Sequence, residues 1–443
     1  MAVLSGLALT VAALMASVLN NVYIGLPLLA GYLYFAALSL VKGHGFKGTA
    51  AMSLKGAKKA FIVIPILLAL GCLTAMWMAA GTVSSFVYYG LSFISPPLFI
   101  FITFLATAAI SILLGSSLGT VGTVGVILMA VARGGNVDPY ITAGAIISAA
   151  YVGDRCSPMS SALHLLCAVT ETDTYRNVRM VLKTTLGPFL LTALLYLPLS
   201  LANPLAAGDT ALRLDIARYF DIGFLTFVPA IAVIAMCCFK ADVKLAMIIS
   251  AFSAGLIAIF VQRQNLPDMV SAFMWGFEPE QGSSLAGVIH GGGLWGMIKT
   301  SFILLEACAL SGILMGVDAL SGLDKLLARP CGRCKLYLKT AAVGLLGISC
   351  GCNQSISIIL CGQVLVKPYE LNGLDRYDLA RDISLTVIPL SAAIPWCLAS
   401  MIPTATLGLP LARHLPYLFY PLLLPLWYVV FYALQDIKKD RKG

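Results

Sequence analysis

Apolar residues run through this 443-residue chain in segments that short polar stretches separate. Several segments approach 20 residues, the length that an α-helix needs to cross a bilayer. Shorter segments come in adjacent pairs that meet at a polar, Gly- or Pro-containing junction: 97–115 with 120–132, 140–153 with 160–169, 337–349 with 354–366, and 378–390 with 396–408. We interpret each pair as two half-helices, because irregular backbone at membrane depth is tolerated only where protein covers it or water reaches it.

The two halves of the chain show the same order of segments, displaced by about 234 residues, so that Ser116 aligns with Cys350 and Pro96 with Pro330. Their flanking charges are opposite. The stretch 42–59 before the first unit, predicted to be a loop, holds five lysines, whereas 276–293 before the second holds neither Lys nor Arg. Since positive residues mark the cytoplasmic side, the two units are predicted to have opposite orientations. Such an inverted repeat is found in many secondary transporters.

The predicted fold class is an all-α polytopic membrane protein with an inverted repeat, each half containing a re-entrant hairpin and a broken transmembrane helix. Four regions follow: N-terminal scaffold helices in 1–59, the first repeat in 60–200, connecting scaffold helices and loops in 201–293, and the second repeat with a basic tail in 294–443. The charge pattern predicts a multi-pass protein of the inner (plasma) membrane, with both termini in the cytoplasm.

Composition agrees with this prediction: 59% of the residues are hydrophobic and 11% are charged, against about 25% charged in soluble domains. The net charge of +9 lies mainly in particular loops, which disfavours nucleic-acid binding. Most of the twelve cysteines lie in apolar runs, where Cys acts as a small hydrophobic residue. The CxxC motif at 331–334 lacks the second ligand pair of a zinc site. No cofactor is predicted, and motifs typical of hydrolases or phosphate-binding enzymes are absent, so an enzyme is disfavoured.

The stretch 151-YVGDRCSPMSSALHLL-166 places an acid, a base and a proline where a membrane helix should cross. We interpret it as an unwound elbow. Broken helices expose unpaired carbonyls and amides, which suit cations and anions respectively. The hairpin tips 115–120 and 349–354 and the breaks 153–161 and 388–396 are therefore predicted to meet near the bilayer centre. The oxygen-bearing candidates for a cation or substrate site are Ser116, Ser117, Thr120, Asp154, Ser157, Ser160, Ser161, Asn353, Gln354 and Ser391.

Asp154 supplies the formal charge of this predicted site, as the ligand of Na+ and as a proton-coupling residue. The open alternative is a buried ion pair between Asp154 and Arg155 that only holds the elbow together. Glu306, in the middle of an apolar span without nearby Lys or Arg, is the second proton-coupling candidate. Its alternative is a protonated carboxyl that hydrogen-bonds to a neighbouring helix. His164, just after the break, fits packing or capping better than binding.

Three runs, 79-AAGTVSSFVYYGL-91, 115-GSSLGTVGTVGV-126 and 147-ISAAYVGDRCSPMSS-161, resemble the NhaC family of sodium/proton antiporters. The segments 352–363 and 386–396 fit the same family. The resemblance implies membership of a wider ion-transporter superfamily with paired hairpins and broken helices, and it implies a homodimer. Family elbows usually carry an acid where Ser161 stands and more commonly Lys where Arg155 stands.

The leading functional hypothesis is a secondary active transporter that exchanges Na+ for H+ by alternating access, with both ions competing for one carboxyl. The alternative is Na+- or H+-coupled transport of a small organic acid or amino acid, which Ser161 and the free amide ends of the half-helices favour. Some members of the family swap sodium and lactate for malate and protons. A channel is a minor alternative, since a pore does not require two broken helices in an inverted repeat.

Overall fold

The computed structural model describes residues 2–20, 22–93, 95–206, 210–239, 243–279, 289–317, 331–410 and 412–440. These ranges are almost entirely helical, and their β pairing is one isolated bridge between Phe277 and Gly291. The helices are, in chain order, α1 (Ala2–Leu19), α2 (Gly25–Val41), α3 (Gly45–Ala79), α4 (Thr82–Phe93), α5 (Phe99–Leu114), α6 (Ser117–Gly134), α7 (Pro139–Cys156), α8 (Ser161–Thr170), α9 (Thr174–Ala202), α10 (Thr210–Tyr219), α11 (Val228–Cys238), α12 (Val243–Phe260), α13 (Leu266–Trp275), α14 (Gly293–Gly316), α15 (Arg333–Gly351), α16 (Gln354–Leu371), α17 (Arg376–Ala393), α18 (Leu398–Thr406) and α19 (Phe419–Asp440).

Four stretches of the described chain are long and apolar enough to cross a bilayer: Pro96–Leu114, which contains α5, and the helices α6, α9 and α14. Two bent pairs could each form a further span. The end of α3 meets α4 at 66°, and α17 meets α18 at 47°. The chain is therefore a polytopic helical membrane protein, as the hydropathy pattern predicts.

Two predictions about local structure are wrong. The basic stretch 42–59 is not a loop, because α3 begins at Gly45 and continues for 35 residues. Lysine is a good helix former, so the charges do not interrupt the helix, and the proposed domain boundary at residue 59 falls inside it. The second half of the first hairpin is also longer than the predicted 120–132, since α6 begins at Ser117 and only Gly115 and Ser116 separate it from α5. Residues 318–330 of the predicted basic loop 318–339 lie outside the described residues.

The two halves share one backbone framework, in a register of 237 residues rather than the predicted 234. Helices α7 and α17 occupy 139–156 and 376–393, and α3 and α14 end at 79 and 316. The left-handed residues keep the same spacing, as Gly115 and Cys352 show. The three-residue error is close to one helical turn, so apolar faces align almost equally well in either register.

Close backbone contacts hold the long helices together. A side chain at Gly56 of α3 would place its Cβ 2.1 Å from the carbonyl oxygen of Cys308 in α14. The halves also interlock around the breaks, where α8 packs on α16 and α17, and α18 contacts the start of α6. Almost every residue of α7 from Ile141 to Cys156 is buried. The first break therefore begins in the protein interior, where Ser157 and Ser160 are buried, whereas Pro158 and Met159 between them are exposed.

Candidate functional site

The two hairpin tips have the same local conformation. Gly115 and Cys352 are left-handed, with φ of 66° and 49°. Each is followed by an extended residue, Ser116 or Asn353, that caps the next helix. The Ser116 hydroxyl accepts from the amide of Gly119 at 3.2 Å, and the Asn353 side chain accepts from the amide of Ser355 at 2.8 Å. Each tip therefore starts a new helix with part of its exposed amides already satisfied.

The first break is held together by its own serines. Ser157 and Ser160 are extended, and Pro158 between them disfavours helical continuation. The Ser160 hydroxyl donates to the carbonyl oxygen of Asp154 at 2.6 Å and accepts from the amide of Leu163 at 3.3 Å. These two serines therefore shape the elbow. The second break has the same form, with Ile394 and Cys397 extended on either side of Pro395.

Asp154 joins this elbow to the first tip. Asp154 is buried, with 8% of its surface exposed. One carboxylate oxygen accepts from the backbone amide of Ser117 at 2.9 Å, and the other accepts from the Ser117 hydroxyl at 2.6 Å. Ser117 is the first residue of α6, so the carboxylate lies at the positive end of that helix.

Small residues allow this close approach. A Cβ at Gly153 would lie 2.1 Å from both the carbonyl oxygen and the hydroxyl of Ser111 in α5. A Cβ at Gly115 would lie 2.7 Å from that of Met159. The Ser111 hydroxyl also donates to the carbonyl of Ala150, one turn before Asp154. The tip is thus nested inside the elbow.

Arg155 does not neutralise Asp154. Its Nε donates to the carbonyl oxygen of Ser384 at 2.8 Å, and its Nη1 donates to Thr185 at 3.0 Å and to the hydroxyl of Tyr420. Among the described residues, no ion pair joins Asp154 to Arg155. The alternative of an Asp154–Arg155 ion pair is therefore wrong, and the carboxylate is held by the two hydrogen bonds from Ser117.

Residues of the second half, Ser391 and Gln354 among them, lie near Tyr151 and the second break. The Tyr151 hydroxyl donates to the carbonyl of Ala399 at 2.6 Å and also lies near the hydroxyls of Ser117 and Ser391. In the 237-residue register, Ser391 occupies the position of Asp154 and Gln354 that of Ser117. Gln354 approaches Cys397 in the second break, and its Nε2 is buried without a hydrogen-bond partner among the described residues. The structure therefore gathers Asp154, Ser117 and Ser391 around Tyr151, and Gln354 of the second tip approaches the second break at Cys397.

Two of the predicted site residues, Thr120 and Ser391, also form hydrogen bonds within their own helices. The Thr120 hydroxyl donates to the carbonyl of Ser116 at 2.8 Å, and that of Ser391 donates to Ile388 at 2.7 Å. Ser161, at the start of α8, and His164 are exposed. In the described chain, no cluster of three His, Cys, Asp or Glu side chains is arranged to hold a metal. A cation at Asp154 would therefore depend on hydroxyl and carbonyl oxygens.

Glu306 lies apart from these contacts, at the packing of α14 against α2. A Cβ at Gly25 would lie 3.1 Å from its Oε2, and Tyr23 is within electrostatic range. The Oε2 atom is buried and has no hydrogen-bond partner among the described residues. The structure thus places the second proton-coupling candidate at a scaffold interface.

Sequence reasoning missed a second buried acid, Asp382 of α17, which is fully buried. Arg333 lies 2.6 Å from it, and the hydroxyls of Tyr369 and Tyr432 donate to it at 2.6 and 3.0 Å. The available signal was an acid inside the predicted half-helix 378–390. Two hydroxyls and two guanidiniums compensate this carboxylate, because Arg381 also lies 3.6 Å from it, and these contacts tie α15, α16, α17 and α19 together.

Comparison with known proteins agrees with this architecture. The model of the Na+/H+ antiporter family matches residues 149–434, more than half of the chain. An uncharacterized Na(+)/H(+) antiporter of Haemophilus influenzae is 30% identical over 400 residues, which cover 88% of this chain and 84% of that protein. The Na(+)/H(+) antiporter NhaC of Alkalihalophilus pseudofirmus is 26% identical over 411 residues, with coverages of 92% and 89%. The malate-2H(+)/Na(+)-lactate antiporter of Bacillus subtilis is 25% identical over 405 residues, with coverages of 89% and 86%. The resemblance carried by the elbow is confirmed: the chain belongs to the Na+/H+ antiporter family and is a secondary antiporter.

Proposed function

We propose that this chain exchanges Na+ for H+ at a site between the first hairpin tip and the elbow, with Asp154 as the ligand that both ions compete for. The observation that carries the proposal is a buried carboxylate that Ser117 holds against the start of α6 and that has no basic partner within the described part of the chain. An intramembrane acid of this kind is costly and is usually retained for function.

Ser117 explains how the site could accept either ion. Its hydroxyl now donates to Asp154, but a hydroxyl also has two lone pairs and can rotate. When Na+ binds, the same oxygen becomes a ligand beside the carboxylate, and on this proposal the Tyr151 hydroxyl, which lies near Ser117 and Ser391, contributes as well. When a proton binds, the neutral carboxyl needs no further oxygen. Occupation by one ion therefore excludes the other.

The shared 237-residue framework supports alternating access between two related units. We propose that they are inverted, with re-entrant hairpins whose tips meet the breaks at mid-membrane and with both chain termini in the cytoplasm. The N-terminal helices and the 201–293 region form a scaffold, and a homodimer in the inner membrane follows from the family resemblance. Exposed apolar side chains on α1 and α2, such as Leu9 and Leu33, leave surface for lipid or for a second copy.

Proteoliposomes test the ion-binding proposal directly. An imposed Na+ gradient should move protons in the parent and fail to do so in Asp154→Asn. The matched control is Asp138→Asn on the same helix, because Asp138 only caps α7 and Asn caps as well as Asp. Competition further requires the half-saturating Na+ concentration to rise with acidity, up to about ten-fold per pH unit where protons dominate. Full exchange by Asp154→Asn would exclude this site.

Glu306 remains the second proton-coupling proposal, because its buried Oε2 lacks a hydrogen-bond partner among the described residues. Glu306→Gln should alter the pH dependence of exchange while leaving the half-saturating Na+ concentration near the parental value. A parental pH profile would limit Glu306 to packing against α2.

Coupled transport of a small organic acid or amino acid is the second candidate function. Gln354 favours it, since its buried Nε2 has no acceptor among the residues that the structure describes and is a donor that suits a carboxylate. Relatives include the malate-2H(+)/Na(+)-lactate antiporter and an arginine/ornithine antiporter of Halobacterium salinarum, 26% identical over 374 residues. Proton movement that requires lactate, malate or an amino acid inside the vesicles would favour this function. Exchange in their absence supports Na+/H+ antiport.

A further inference from the structure

Arg155 reaches across the molecule from the elbow to the second half. The residue is fully buried. It belongs to α7, yet its guanidinium donates to Ser384 in α17, to Thr185 in α9 and to Tyr420 in α19. One side chain therefore connects the residue next to Asp154 with helices of both units.

The partners of Arg155 are themselves joined. The Tyr420 hydroxyl lies 3.4 Å from that of Thr185, and the Cys156 thiol lies 3.3 Å from the same hydroxyl. The planar fork of a guanidinium can serve several acceptors at once, whereas a lysine ammonium is a point charge on a flexible stem. The second unit has no such connection, because the position equivalent to Arg155 is Ala392.

Asp154 and Arg155 are thus adjacent in sequence but engage different structures. Asp154 contacts the tip at Ser117, and Arg155 contacts the bundle of α9, α17 and α19. Because the helix stops two residues later, at Ser157, little regular backbone follows to fix the direction of the Asp154 carboxylate. A rigid attachment at the next residue supplies that direction.

We propose that Arg155 is a positioning residue for the ion site: it fixes the elbow to the second half and thereby sets Na+ affinity without contacting the ion. This inference rests on the function proposed above. It differs from a purely electrostatic role, because the effect depends on the hydrogen bonds of the guanidinium and is lost when the charge remains but the partners are removed.

The test measures half-saturating Na+ and maximal proton flux in proteoliposomes for Arg155→Lys, Thr185→Val and Tyr420→Phe. Each variant keeps a positive charge at 155 and should raise the half-saturating Na+ concentration about ten-fold, the scale of one hydrogen bond to a charged group. Maximal flux should stay within about two-fold, since Asp154 and Ser117 are intact. The double variant Arg155→Lys/Tyr420→Phe should be no worse than Arg155→Lys alone, because both changes break one connection.

Arg133→Lys is the matched control. Arg133 also bridges the halves, donating to the carbonyl oxygen of Leu407 at 2.7 Å, but it lies about 24 Å along α6 from Ser117. Its Na+ dependence should remain parental. The Na+-induced rise in melting temperature of the detergent-solubilised protein gives a second readout for any variant that reconstitutes poorly.

Parental Na+ affinity in Thr185→Val and Tyr420→Phe, by both readouts, would overturn the positioning role. So would an equal loss in the Arg133→Lys control. Asp154→Asn separates this result from the larger proposal: if that variant also exchanges ions normally, the ion site itself is misplaced. If it is inactive while the Arg155 series is parental, only the present inference fails.

Discussion

Gly153 offers the sharpest test of how closely the elbow and α5 must approach. A Cβ at this position would lie 2.1 Å from the carbonyl oxygen of Ser111, short of ordinary contact at 3.4 Å by 1.3 Å. The contacting atom belongs to the backbone and cannot move away as the end of a flexible side chain can. Gly153→Ala must therefore push α5 and α7 apart next to Asp154. Overpacking of this kind costs about 1–3 kcal/mol.

The expected result for Gly153→Ala is a lower melting temperature in detergent together with a strong loss of Na+-driven proton flux, because the tip moves away from Asp154. A misplacement near 1 Å can reduce function by about two orders of magnitude. Gly296→Ala is the matched control, since a Cβ there meets nothing within 4 Å and Ala favours the helix by about 1 kcal/mol. Parental flux and stability in Gly153→Ala would show that the approach of the two backbones is not needed.

Three further predictions concern single side chains. Ser117→Ala keeps the hydrogen bond from the backbone amide to Asp154 but removes the one from the hydroxyl, and it should raise the half-saturating Na+ concentration about ten-fold. The control Ser116→Ala removes only a helix cap. It should lower stability by about 1 kcal/mol without changing the Na+ dependence. Tyr151→Phe leaves the Ala399 carbonyl without its 2.6 Å donor and should lower the free energy of unfolding by about 1–3 kcal/mol, measured by thermal unfolding; an unchanged midpoint would contradict this. Burial lowers the pKa of His414 from 6.5 to about 4. The unfolded chain therefore binds the extra proton first, and stability should fall as pH drops from about 6.5 towards 4, by up to about 3 kcal/mol. His414→Gln should remove this part of the acid sensitivity, and an identical pH–stability curve would contradict it.

Sequence predicts the elements of this protein because hydropathy and helix breakers are local signals. The breaks near Pro158 and Pro395 and the tip at Gly115 appear where proline and glycine interrupt apolar runs. The repeat register is missed by three residues because a helix looks nearly the same after one turn. At the second tip the left-handed residue is Cys352 rather than the adjacent Gly351, so the glycine does not mark the exact position of the turn.

The candidate site is less predictable, because the hydrogen-bond partners of Ser and Thr hydroxyls depend on which residues the fold brings close to them. The sequence identifies Asp154 as a buried charge, and the structure adds its contact with Ser117. The sequence does not reveal that the side chains of Ser116, Thr120 and Ser160 form hydrogen bonds within their own segments. Arg155 illustrates the limit: an adjacent acid and base look like an ion pair, yet successive helix positions point about 100° apart and meet different neighbours.

The 237-residue correspondence between the two halves also suggests a second conformation of the protein, which differs from the one in this structure. Two units with the same order of helices but different neighbours can have different angles between their half-helices. The conformation of each unit is then one that the other unit can adopt. On the proposed inverted arrangement, exchanging the bends of the two units turns the opening to the other face of the membrane. The second state of the cycle could therefore be drawn by giving residues 96–171 the conformation of 333–408, and the reverse.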